Sequence, residues 1–179
     1  MEPVTPYGLK VVPQALLSET PGSKWAYGTF ERSSFDPRWI HGWKAETRPA
    51  GGKDPFEQTM RHLKQFQRLL EFEDGWNGPG TVRIKKETLQ RATELSKRLT
   101  KAVHTTYGVI PRFPTLVPLG DGSIDIVWRT KTHELILNVP ITSNSLPQFY
   151  GSDGRNAIEG IFSKPAQEKL LALWLSSLE

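Results

Sequence analysis

Ile124, Ile126 and Trp128 alternate with Asp125, Val127 and Arg129, and Leu135, Leu137 and Val139 alternate with Glu134, Ile136 and Asn138. This pair of period-two runs constrains the fold more than any other feature of the chain. Successive side chains of a strand point to opposite faces, so each run offers one apolar face to a core. The short polar break at Lys131-Thr132 is too brief for a crossover, so the two runs pair antiparallel. Leu116-Val117 precedes them across Gly120-Asp121-Gly122, a strong turn signal. A fourth strand is predicted at Gln148 to Gly151, turning at Ser152-Asp153-Gly154, with a short strand at Ile158 to Phe162 after it.

An apolar sheet face requires a cover, and the flanking sequence supplies helices. Over 54–73, Asp54 suits an N-cap, Pro55 the first helical position, and Glu57 the third position of a capping box. Phe56, Met60, Leu63, Phe66 and Leu70 recur at spacings of three and four, on one side of a helix. Asp74-Gly75 and Gly78-Pro79-Gly80 end it. Over 85–104, Leu89, Ala92, Leu95, Leu99, Ala102 and Val103 share one sector. Lys86, Glu87, Arg91, Glu94, Lys97, Arg98 and Lys101 take the opposite one. Ser163 caps a last helix, about 164–178, whose apolar side is Leu170, Leu171, Trp174, Leu175 and Leu178. The expected fold is α+β: an antiparallel meander of about four strands, within about 115–162, covered by helices in a core domain of residues 54–179. Residues 1–53 are expected to form an aromatic-rich N-terminal arm or subdomain, with Pro21-Gly22 and Pro49-Ala50-Gly51-Gly52 as loops.

The joint between the first two helices, Phe72-Glu73-Asp74-Gly75-Trp76-Asn77-Gly78-Pro79-Gly80, is followed by a helix, a Pro111 to Pro114 segment and the meander ending in Tyr150-Gly151-Ser152-Asp153-Gly154. This order resembles small uncharacterised bacterial and mobile-element proteins with a W-[DN]-G-x-G joint. The resemblance covers roughly residues 60–160. Pro79 departs from it, since that position is more often aromatic in the family. The resemblance implies the order of the fold and no chemistry. Read on its own residues, the joint uses Gly75, Gly78 and Gly80 for conformations closed to other residues, with Asn77 as an Asx turn and Trp76 as an apolar plug under the helices. A phosphate-binding loop is the other reading, but G-x-x-x-x-G-K-[ST] is absent.

The 179 residues contain no cysteine, which excludes disulfides, thiolate metal sites and a cysteine nucleophile. His41, His62, His104 and His133 form no H-x-x-x-H pair, no G-x-S-x-G elbow occurs, and Gly151-Ser152-Asp153-Gly154 reads as a turn. No catalytic residue, metal or cofactor is expected. No signal-like or membrane-spanning run is present, so a cytoplasmic location and no membrane partner are expected.

Two binding readings remain, with net charge +4 permitting either. Trp25, Tyr27, Phe35, Arg38, Trp39 and Trp43 combine the residue types that dominate protein interfaces. They either meet another protein or complete the core. The expected function is accordingly a non-catalytic protein–protein interaction module. By analogy with small bacterial and phage proteins, it would be an inhibitor, an antitoxin-like partner or an accessory subunit. The alternative is a nucleic-acid-binding accessory protein using Lys86, Arg91, Lys97, Arg98 and Lys101. Between Arg83 and Lys101 seven basic residues face two acidic ones, although Glu87–Arg91 and Glu94–Arg98 are spaced as helix-supporting ion pairs.

Overall fold

The computed structural model describes residues 11–13, 55–163 and 165–178. The aromatic candidates Trp25, Tyr27, Phe35, Arg38, Trp39 and Trp43, and the N-cap candidate Asp54, lie outside the described residues. The elements run β1 (Val11–Pro13), α1 (Pro55–Lys64), a 3-10 helix (Gln65–Glu71), α2 (Lys86–Tyr107), β2 (Thr115–Pro118), β3 (Ile124–Arg129), β4 (Glu134–Val139), β5 (Gln148–Ser152), β6 (Asn156–Ile161) and α3 (Pro165–Ser176). The fold is α+β, as expected. β2 to β6 form the meander in sequence order, every pair antiparallel, and β1 adds to the outside of β6.

The helix expected over 54–73 changes character halfway. Its α-helical part ends at Lys64 and a 3-10 helix continues to Glu71. The buried residues explain the change. Leu63, Phe66 and Leu69 recur at intervals of three, the period at which 3-10 side chains eclipse. Leu69 therefore takes the core position that an α-helical count gives to Leu70, and Leu70 only packs against the core edge. His62 anchors the junction. Its Nε2 lies 2.9 Å from the Pro114 carbonyl oxygen and its ring stacks on Phe113 at 4.8 Å.

α2 runs three residues beyond the expected His104. Thr105 to Tyr107 are exposed and carry no apolar period, but nothing there breaks a helix. Gly108, at φ +70°, ends it, with its N–H donating to His104 O at 2.9 Å.

α1, the 3-10 helix, α2 and α3 bury their apolar sides with one face of the sheet. That single cluster includes Leu89, Leu99 and Val103 of α2, Leu171 and Leu175 of α3, and Ile126, Trp128, Leu137 and Phe149 of the sheet. Among the described residues, no helix is long and apolar enough to cross a membrane.

Candidate functional site

The Gly-rich joint packs as a closed loop. Gly75, Gly78 and Gly80 all have positive φ, which explains their spacing. Gly75 N–H donates to Thr81 O, Trp76 N–H to Glu73 O, Gly78 N–H to Gly75 O and Thr81 N–H to Gly78 O. Asn77 N–H donates to Thr81 Oγ1, and Arg83 N–H to the Asp74 carboxylate at 2.8 Å. A phosphate-binding loop needs these amides pointing at a ligand; here they are consumed internally. Val82 N–H donates to Gly120 O at 2.7 Å, tying the joint to the β2–β3 turn. Trp76 is not a plug beneath the helices. It is half-buried, stacked on Phe72 at 4.8 Å, with its indole N–H directed to Val82 O at 3.3 Å.

The basic residues of α2 divide. Arg91 turns toward the β4–β5 loop, donating to the carbonyls of Pro140 and Thr142 rather than pairing with Glu87. Lys97 pairs with Glu94 at 2.7 Å. Arg98 pairs with Glu168 of α3 at 3.1 Å, not with Glu94, and its guanidinium lies 4.9 Å from the Phe162 ring centre. Arg91 and Arg98 thus tie the helix to other elements, Lys97 pairs within its own helix, and Lys86, Arg98 and Lys101 are exposed.

The strand register brings together residues that the sequence did not mark out. On the sheet face opposite the helices, Thr115, Val127, Ile136, Tyr150 and Glu159 form one row across five strands. Val117, Asp125, Asn138, Gln148 and Ile161 form a second, and Arg129, Glu134, Ser152 and Ala157 a third. The signal was present in the wrong-face apolars Val127 and Ile136, which interrupt an otherwise polar period.

At one end of this face the Asn138 amide donates to Asp125 Oδ1 at 2.8 Å and to Ser123 Oγ at 3.3 Å, and Ser123 Oγ donates to Asp121 Oδ1 at 2.6 Å. Burial pushes the Asp125 carboxyl up to about 6; the Asn138 hydrogen bond opposes the shift and the nearby Asp121 charge adds to it. Burial likewise raises Tyr150, a hydrogen bond with Ser152 opposes this, and Glu134 and Glu159 raise it further. Arg129 and Glu134 pair across β3 and β4 at 2.8 Å. Among the described residues no three His, Asp or Glu side chains gather as a metal site.

At the opposite edge of the face the apolar surface is open. Leu146 is 52% exposed and Ile161 is 50% exposed. Ile161 lies opposite Gln148, and Phe162 N–H donates to Pro147 O at 2.7 Å, so the segments that carry Leu146 and Ile161 meet at one corner of the sheet. A dent between Val109 to Arg112 and the end of α3 holds little more than one water.

No family model matches the chain, and no curated protein and no solved structure matches it.

Proposed function

We propose that this chain is a non-catalytic protein-binding module. Its contact surface is the aromatic segment carrying Trp25, Tyr27, Phe35, Arg38, Trp39 and Trp43, together with the apolar corner of Leu146 and Ile161. The observation that carries the reading is that corner. Two large aliphatic residues, each about half exposed, sit on chain segments that meet at one corner of the sheet, where Phe162 N–H donates to Pro147 O. Single exposed apolar residues are ordinary, but adjoining ones at a rim mark contact surfaces. The aromatic segment adds the residue types that anchor protein interfaces.

The test is affinity capture from the native host with the full chain, a Leu146→Glu/Ile161→Glu variant and a Trp39→Ala/Trp43→Ala variant. The reading expects a protein partner that survives nuclease and high salt and is lost from both variants while their thermal unfolding is unchanged. Recovery of the same partner by both variants overturns it. So does a captured species that nuclease removes.

A further inference from the structure

The sheet has two outer strands, and the parity of its hydrogen bonds decides what each can accept. In an antiparallel pair, residues that exchange both backbone hydrogen bonds alternate with residues whose N–H and C=O point the other way. Between β5 and β6, Asp153 N–H donates to Asn156 O and Phe162 N–H to Pro147 O. These bonds fix the parity, so the N–H and C=O of Ala157, Glu159 and Ile161 point away from β5. β1 meets only the first of these, through Val12. Its ladder stops at the Val11–Ile158 pair, and among the described residues nothing bonds the outward N–H and C=O of Glu159 or Ile161.

The other outer strand is closed to the same use. Leu119 N–H donates to Ser123 O, so along β2 the outward backbone groups belong to Leu116 and Pro118. Pro118 has no N–H, and the Pro114 carbonyl just before the strand is already met by His62 Nε2 at 2.9 Å. Among the described strands, only β6 repeats an open donor and acceptor at two-residue spacing, the pattern that another strand matches.

The side chains on that stretch narrow the occupant. Glu159 and Ile161 share the face opposite the helices. Ile161 is half exposed, and Glu159 has no cationic partner among the described residues. A strand laid antiparallel along this stretch would bury an aliphatic residue against Ile161 and set a basic residue, two positions later, against Glu159. Cross-strand pairs of both kinds stabilise a sheet. A second copy paired antiparallel over the same three residues would instead set Glu159 against Ile161, a carboxylate against an aliphatic side chain.

We infer that the open end of β6, Glu159 to Ile161, takes an extended segment of a partner protein by strand addition, end to end with β1, and that this segment carries an aliphatic and a basic residue two positions apart. The inference rests on the proposed contact surface at the Leu146 and Ile161 corner and names the kind of partner it takes.

The test titrates the isotope-labelled full chain with a capped peptide, Thr-Ser-Ile-Thr-Lys-Ser-Thr, and follows amide hydrogen exchange at Glu159 and Ile161. In the free chain both amides are expected to exchange quickly, and saturating peptide is expected to slow both by about tenfold or more. The same peptide N-methylated at its Ile and Lys keeps the side chains but loses the donors, and is expected to slow neither. Glu159→Lys is expected to lose this peptide and to accept one with Glu in place of Lys. Amides already slow in the free chain would overturn the inference, by giving the edge to the chain's own residues; amides that slow only as protein concentration rises would give it to a second copy. No slowing by the peptide, or equal slowing by its N-methylated form, would overturn it as well. A partner captured through Leu146 and Ile161 that leaves both amides fast would overturn strand addition and keep the proposed function, so the two fail separately.

Discussion

The Trp174 indole occupies the space that a side chain on Gly151 would fill. A Cβ on Gly151 would lie 3.0 Å from Trp174 Cε2 and Nε1 and 3.0 Å from Ile158 Cγ1. From this position Trp174 Nε1 donates to Glu134 O at 3.1 Å, so α3 is both packed and hydrogen-bonded onto β4 and β5. The glycine is needed here for close approach, not for turn geometry. Gly151→Val is expected to displace the indole and destabilise the fold by roughly 1–3 kcal/mol. Urea unfolding followed by tryptophan fluorescence would measure this, and an unchanged midpoint would mean that α3 docks elsewhere.

The pH dependence of stability has a sign set by Asp125. Its carboxyl is raised to about 6 in the folded chain, chiefly by burial, against about 3.9 when unfolded. The folded state therefore binds more protons between these values, and stability falls as pH rises from about 4 to about 6. At 1.36 kcal/mol per pKa unit the loss is about 2–3 kcal/mol above pH 6. Asp153 acts oppositely. Its pKa is lowered, first by the Asn156 backbone N–H, so it adds stability above the unfolded value that is lost as pH falls. Asp125→Asn keeps the shape and an acceptor for Asn138. It is expected to be more stable than wild type at pH 7.5, by an amount that disappears toward pH 4. Urea midpoints at four pH values would check this; parallel curves for the two proteins would refute it.

Much of the fold was legible because its signals are local. The alternation around Trp128 and Leu137, the turn at Gly122 and the amphipathic period of α2 each follow from residues close in sequence. Where a boundary missed, the deciding contact was distant. The switch to a 3-10 helix at Gln65 follows from how Phe66 and Leu69 meet the core, which local spacing does not encode. The basic residues misled for the same reason. Arg98 finds Glu168, 70 positions away, although Glu94 is ideally spaced for it. Leu146 and Ile161 become a corner only once β5 and β6 are paired in register.

Two hydroxyls in the core of α2 have no partner. Thr88 is fully buried and Thr100 is 3% exposed, and the Oγ1 of each is unbonded; Thr93 and Ser96 instead donate to carbonyls one turn back. An unsatisfied buried hydroxyl is destabilising, and an apolar group of the same shape removes the penalty. Thr88→Val and Thr100→Val are each expected to stabilise by about 1 kcal/mol. Thermal unfolding of the two variants and of their combination would measure it, with a lowered midpoint counting against the burial described.

Arg91 separates bracing of the fold from recognition of nucleic acid. Its guanidinium reaches from α2 to the Pro140 and Thr142 carbonyls, fixing the loop between β4 and β5. Hydrogen bonds from a charged donor contribute more than neutral ones, so Arg91→Ala is expected to cost about 1.5–3 kcal/mol. Arg91→Lys is expected to recover only part of this, because a single ammonium lacks the planar fork that serves two carbonyls. Lys86 and Lys101, both exposed, are the informative contrast: Lys86→Glu with Lys101→Glu is expected to leave stability within about 0.5 kcal/mol of wild type. The same variants can be titrated against single- and double-stranded DNA and RNA over a range of salt. If the α2 surface bound phosphates, the double lysine variant would weaken binding and flatten its salt dependence. The expected outcome is a loss of stability for Arg91→Ala and no salt-dependent binding by any form, wild type included. Salt-dependent binding that the lysine changes abolish would transfer the functional assignment from protein to nucleic acid.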